Sequence, residues 1–234
     1  PQSLAPHSGP NLVDQGHLLL ELSRLHSSVL IHFSSHHVFG IGQYGAALSE
    51  LDTPLPDDSY GRELLAQETT ISHLERSLIV RLPWVLDGPS GILAAMSRAL
   101  LYEDECVVSD AWRGAPVFIE DAVRITLAMV QQILCGASNW GTFHLHSSDN
   151  CSEAELADHI ARLLQKQGHK VGSVALGAAL EQRFIASNGW LKGVRCTNNF
   201  GFQHHSWRQG MKARVVDWLE EEMKAGRLTP AVPA

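Results

Sequence analysis

Three histidine clusters, His36-His37, His144 with His146, and His204-His205, stand out in a sequence that holds 13 histidines. Imidazoles two apart on a strand share one face, a geometry a zinc site can use. No cysteine or glutamate lies at a spacing that would complete a tetrahedral set, so these residues read as surface and pocket-rim histidines, with no metal. The cysteines, at 106, 135, 151 and 196, form no C-x-x-C pair and fit neither a disulfide framework nor a zinc ribbon. They read as reduced, mostly buried thiols. Gly40-Ile41-Gly42-Gln43-Tyr44-Gly45 matches G-x-G-x-x-G, the turn that cradles a pyrophosphate when a full helix follows it directly. Here only Ala46 to Leu51 could be helical before Pro54 and Pro56, and the acidic residue that should end a second strand is missing. The stretch reads as a flexible loop.

The elements that must hold such residues alternate between helix and strand. Leucines recur at helical spacing over 11–26, and Val29–Phe33 follows as a short buried strand. Gly, Pro and Asp mark 40–59 as loop. A helix over Tyr60–Arg76 leads into a strand over Leu78–Leu82, which Pro83 ends. Further helices are expected over Ser90–Tyr102 and Glu120–Leu134, with a strand over Thr142–His146. Ser152 and Glu155 form a capping box; the helix it opens carries Leu156, Ile160, Leu163 and Leu164 on one stripe and ends at Gly168. A last helix from Ser206 buries Trp207, Met211, Val215, Trp218, Leu219 and Met223, and Gly226 closes it. Strands separated by helices of this length imply the α/β class, a parallel sheet with crossover helices.

Composition excludes several functions. The 234 residues carry 18 basic and 25 acidic side chains, a net charge of −7, with 44% hydrophobic residues. An acidic balance without a long basic run argues against nucleic acid. No apolar run approaches the ~20 residues a membrane span needs, and no signal-peptide pattern opens the chain. A cytoplasmic protein is expected.

Taken in order, a set of short motifs is more specific. Ser34-Ser35-His36-His37-Val38-Phe39 closes a strand, Glu50-x-Asp52-x-Pro54-x-Pro56 follows, and Tyr60-Gly61 opens a helix that runs to Ala66-x-Glu68. Downstream come Arg81-Leu82-Pro83-Trp84-Val85-Leu86, then Asp110, Gly114 and Pro116 with Glu120-Asp121-Ala122, then Gly141-Thr142-Phe143-His144-Leu145. Phe200-Gly201-Phe202 and Ser206-Trp207-Arg208 close the series. This order resembles the extended short-chain dehydrogenase/reductase family, and within it the dTDP-4-dehydrorhamnose reductase-like branch of sugar-nucleotide reductases. The resemblance covers most of residues 11–220.

The resemblance implies a Rossmann-like parallel sheet with a smaller mixed substrate lobe. Residues 1–87 would be the C-terminal part of the Rossmann-like domain and 88–118 a lobe segment. Residues 119–146 would return a helix and a strand to the sheet, and 147–234 would complete the lobe and the last helix. It also implies reduction of a 4-keto sugar nucleotide, in which Ser35 orients the carbonyl and Tyr60 donates the proton. Trp84 corresponds to a residue facing the substrate pocket, where it could stack on a sugar or base or simply pack in the core. Trp112 and Arg113 could reach a diphosphate, although a solvated loop explains them as well. The implied partners are a nucleotide sugar or dinucleotide, and a second copy or a partner enzyme. The regulatory subunit of methionine adenosyltransferase, which resembles these reductases, has such a partner.

Two departures weigh on the function. The family's lysine, one helical turn after the tyrosine, lowers the phenol's pKa and holds the nicotinamide ribose; here that position is Leu64. Arg62 lies about 200° around the helix from Tyr60 and cannot replace it. Nothing before Asn11 forms the strand, G-x-x-G-x-x-G turn and helix with which family members grip the dinucleotide. With Pro1 rather than Met at the start, the sequence reads as a fragment. The expectation is a degenerate relative that binds a nucleotide sugar or dinucleotide with weak or no hydride transfer, using NADP or NAD if the opening segment exists. The alternative is an active NAD(P)H-dependent reductase of a 4-keto sugar nucleotide.

Overall fold

The computed structural model describes residues 12–26, 28–40, 46–88, 91–177, 184 and 187–228. Its centre is a parallel sheet of three strands in the order β1 (Leu30–Ser35), β3 (Ser77–Leu82), β6 (Gly141–His144). The register pairs Ser35 with Leu82 and Arg81 with His144, so the carboxyl ends of all three strands come together on one side. In open α/β sheets that side is where ligands bind. Among the described residues, β1 is paired on one side only.

One face of the sheet is covered by α2 (Ser59–Ile71), and α1 (Leu12–His26) packs on α2. On the other, α4 (Ile119–Leu134) packs Ala122, Ile125, Met129 and Ile133 on Leu78, Val80 and Phe143. Each such side chain contributes roughly 1.5–3 kcal/mol on burial. Asp58 caps α2 by accepting from the Gly61 amide at 2.6 Å. Gly61 is required at this start, because a Cβ there would lie 2.3 Å from the His37 carbonyl oxygen. The helix stops at Ile71 rather than running to Arg76 as its pattern suggests. Thr69, Thr70 and Ser72 turn their hydroxyls back onto the carbonyls of Leu65, Ala66 and Thr69, the local competition that weakens helices.

The second lobe gathers α3 (Ile92–Tyr102), α5 (Glu153–Lys166) and α7 (Trp207–Lys224) around one apolar core. Alongside them, β4 (Glu105–Val108) runs parallel to β8 (Ser173–Leu176). The expected capping box is present: Ser152 Oγ accepts from the Glu155 amide, and the Glu155 carboxylate accepts from the Ser152 amide. Met211 and Val215 of α7 are fully buried and Met223 partly so. Two-residue pairings tie the lobes to the sheet. β2 (Leu48–Ser49) runs beside β9 (Leu191–Lys192), and β5 (Arg113–Gly114) lies antiparallel to β7 (Cys151–Ser152). The first of these falls in a region expected to be loop. The remaining helix, α6 (Val194–Phe200), begins on the carboxylate of Glu50, which accepts from the amides of Val194, Arg195 and His144. No described helix is long and apolar enough to cross a membrane.

Candidate functional site

At the carboxyl end of β1 the chain turns through a single 3-10 turn, His36–Phe39, whose cap is Ser35. Ser35 Oγ accepts from the His37 amide at 3.4 Å and lies 3.2 Å from His36 Nδ1. Beyond it opens a cleft of about 370 Å³, lined by Ser35, His36, His37, Tyr60, Trp84 and Ser187 among others. That volume lies within the range of small-ligand sites, about 300–1,000 Å³. The structure thus brings Ser35, Tyr60 and Trp84 to one place.

Trp84 is only 2% exposed, and its Nε1 donates to the Ser187 carbonyl at 3.1 Å. A Cβ on Gly114 or on Gly189 would come within 2.3 Å of its ring. Gly114 and Gly189 are bridge partners, and their paired backbone therefore packs closely against the indole. Trp84 lines the cleft with its indole packed against this backbone. Gly189→Ala is expected to push the indole out of this slot and cost about 1–3 kcal/mol, the usual penalty for overpacking. The midpoint of urea unfolding and a red-shifted tryptophan emission would show it; unchanged stability and emission would mean the slot is slack.

Trp112 and Arg113 lie elsewhere. Trp112 is buried in the core of the second lobe, and Arg113 donates to Asn150 at 2.7 Å and to Glu155 at 3.1 Å. Neither is among the residues lining the cleft.

The histidine pair after Ser35 was expected at a pocket rim, but His36 is buried. Its Nδ1 faces the Leu82 carbonyl at 3.4 Å, which can only accept, so Nδ1 carries the proton. Nε2, 3.0 Å from Ser187 Oγ, then accepts from that hydroxyl. Desolvation by burial, followed by the neighbouring His37, holds the His36 pKa down to about 3. His144, also expected nearer the surface, is fully buried. Its Nδ1 donates to the Leu48 carbonyl at 3.1 Å, and its Nε2 accepts from Arg81 at 3.3 Å. Burial and the Arg81 charge hold its pKa at about 3.

Leu64 is buried, 5% exposed, in a cluster with Val38, Phe39, Leu48 and Leu191. The position that a lysine would occupy therefore points into core rather than cleft. Arg62 donates to the Asp57 carbonyl at 3.0 Å. Among the described residues, no hydrogen bond reaches the Tyr60 hydroxyl; its half-exposed ring meets His37 edge-on, with centroids 5.4 Å apart. The residues present do not fit a nicotinamide ribose beside Tyr60, since an aliphatic side chain stands where the ribose would need a cation. Most of the glycine-rich stretch lies outside the described residues, Gly40 excepted. No cysteine is among the described cleft residues: Cys106, Cys151 and Cys196 are buried, with burial pushing Cys196 up to about 12 and Cys151 higher still, and the exposed Cys135 follows the end of α4. Among the described residues no group of three or more His, Cys, Asp or Glu could hold a metal.

His36, His37 and Ser187 are the cleft residues that motif reading passed over. The two histidines were visible from their place next to Ser35. Ser187 was not, because only the fold brings it across from the second lobe.

Solved structures share this architecture. A dTDP-4-dehydrorhamnose reductase from Clostridium acetobutylicum superposes with a TM-score of 0.74 at 21% identity, covering 92% of this chain and 78% of that one. A dTDP-4-dehydrorhamnose reductase from Bacillus anthracis, in complex with NADP, gives 0.72 at 22% identity over 86% of this chain and 70% of its own. MoeE5 in complex with UDP-glucose and NAD gives 0.71 at 17% identity over 91% and 72%. A search of curated proteins finds no match. The family model described as the RmlD substrate binding domain matches residues 14–219. With that match spanning nearly the whole chain, and with the parallel sheet, second lobe and strand-end cleft in place, the protein belongs to the RmlD substrate-binding-domain family.

Proposed function

We propose that this chain binds a nucleotide sugar in the strand-end cleft and performs little or no hydride transfer there. One observation carries the reading: Ser35 and Tyr60 still line a common cleft, while Leu64, at the position of the assisting cation, is core. A free phenol titrates near pH 10, and each unit of depression needs about 1.4 kcal/mol of electrostatic help. Leucine supplies none. Ser35 remains suited to hydrogen-bond a sugar oxygen. Its oxygen accepts from the His37 amide and its own proton stays available, because the His36 Nδ1–H points at Leu82. The solved relatives with UDP-glucose and NAD, or with NADP, make a nucleotide sugar or a dinucleotide the natural occupants to try. A role in modulating a partner enzyme fits a binding cleft without chemistry.

The competing reading, an active NAD(P)H-dependent reductase of a 4-keto sugar nucleotide, draws on the retained Ser35 and Tyr60. Leu64→Lys separates the two. In the reductase reading the added ammonium assists Tyr60 and raises turnover. In ours it enters an apolar cluster, gives no NADPH oxidation, and costs about 2–5 kcal/mol, the range for losing a buried leucine. Calorimetric binding of dTDP-glucose by the wild type, with that variant's urea unfolding and NADPH oxidation beside it, decides the matter. A stable variant that gains turnover would sink the proposal.

A further inference from the structure

We propose that His37 is the residue through which the cleft gives a proton-bearing hydrogen bond to an oxygen of its sugar ligand, in place of an assisted phenol at Tyr60. The inference rests on the cleft being the nucleotide-sugar site. His37 lines that cleft with Ser35 and Tyr60. Its side chain keeps 30% exposure, and its Nδ1 lies 3.7 Å from Asp58 Oδ2. Asp58 is held in turn, because its Oδ1 accepts from the Gly61 amide as the cap of α2. The imidazole is flanked by the Tyr60 edge at 5.4 Å and by the His36 ring at 4.5 Å. With Nδ1 on the Asp58 side, Nε2 is the nitrogen left for a ligand.

The neighbours do not compete for this role. His36 is locked as a neutral bridge between the Leu82 carbonyl and Ser187, and burial keeps it from taking up a proton. Tyr60 has Leu64 behind it. Arg62 of the same helix is turned to the Asp57 carbonyl. Among the described residues, Pro83, Trp84 and Val85 after β3, Ile92 of α3, and Phe184 and Ser187 make the rest of the wall, and none of them carries a charge. Asp58, Tyr60 and His36 are thus the titratable groups around the imidazole among the described residues. Histidine changes charge in the physiological pH range. A hydrogen bond from a charged donor is stronger than one from a neutral donor by enough to change affinity about tenfold.

The test is calorimetric titration of the protein with dTDP-glucose between about pH 6 and about pH 8.5. The wild-type affinity should fall about tenfold across this range, while His37→Gln should bind at the weaker level throughout, with a flat profile. A His37→Gln variant with wild-type affinity and wild-type slope overturns the proposal. A second readout needs no variant: the His37 ring proton resonance, assigned through its contact with the Tyr60 ring, should move when dTDP-glucose is added, and a stationary resonance in a protein that binds the probe overturns it equally. Absence of dTDP-glucose binding at every pH would instead remove the site reading itself, and this proposal with it.

Discussion

Arg81→Met is expected to destabilise the protein by about 3–5 kcal/mol, the cost of stranding one partner of a buried ion pair. Arg81 and Glu68 have side chains 6% and 4% exposed, so neither charge has water to fall back on. Their geometry is a fork, with Nε 3.0 Å and 3.2 Å from the two carboxylate oxygens and Nη2 2.6 Å from Oε2. The remaining Nη1 donates to His144, and the guanidinium carbon lies 5.0 Å from the centre of the Phe39 ring. Removing the arginine leaves the Glu68 carboxyl without its partner in the core, beneath the strand ends that carry Ser35. Replacing both partners, Glu68→Met with Arg81→Met, should recover most of the loss, since a buried pair exchanged for apolar volume is often close to neutral. A double-mutant cycle in urea measures the coupling. Additive losses would mean that the pair is screened by water and does not brace the site.

Acidification is expected to unfold the protein while the pH is still above the folded pKa values of its buried histidines. His36 and His144 are held neutral at about pKa 3 and His204 at about 4, all chiefly by desolvation on burial, against 6.5 for an exposed histidine. A base whose folded pKa is depressed binds more protons when unfolded, so stability rises with pH between the two values. The stabilisation is complete above about pH 6.5 and drains as pH falls toward 4 and 3. By about pH 5 each of the three forfeits on the order of 2 kcal/mol, and together they approach the whole stability of an ordinary domain. His204 adds a local feature, because its ring lies 3.9 Å from that of His146, which burial also holds down. Far-UV circular dichroism should show a transition centred between about pH 4 and about pH 5.5. His144→Gln should move its midpoint lower even if it weakens the protein at neutral pH. A fold that persists to pH 3 in the wild type would show that these histidines reach water.

What the sequence disclosed and what it hid follow one physical division. Local patterns were legible: the Ser152 capping box, the apolar stripe of α4 and the Ser206 cap of α7 all depend on residues a few positions apart. The motif order carried the family for the same reason. Hidden features depend on residues that meet only after folding. Leu48 finds Leu191 to form a two-residue parallel pair that no run of residues announces. Trp84 is an ordinary tryptophan until the paired backbone of Gly114 and Gly189 closes on its ring. His36 sits beside Ser35 in the chain, but its neutrality is set by the burial that folding imposes, and its two ring nitrogens meet a carbonyl from β3 and the Ser187 hydroxyl. Trp112 and Arg113 follow the same logic in reverse, since their placement outside the cleft is decided by the packing of α5.

The most direct test of the account is NADPH oxidation by the full-length gene product with a 4-keto sugar nucleotide, run beside a dTDP-4-dehydrorhamnose reductase of known activity. With an aliphatic residue buried where the phenol's assisting cation should stand, the account predicts turnover at least about a thousandfold below that enzyme, the middle of the range that acid–base assistance supplies. Turnover comparable to the reference enzyme would contradict it.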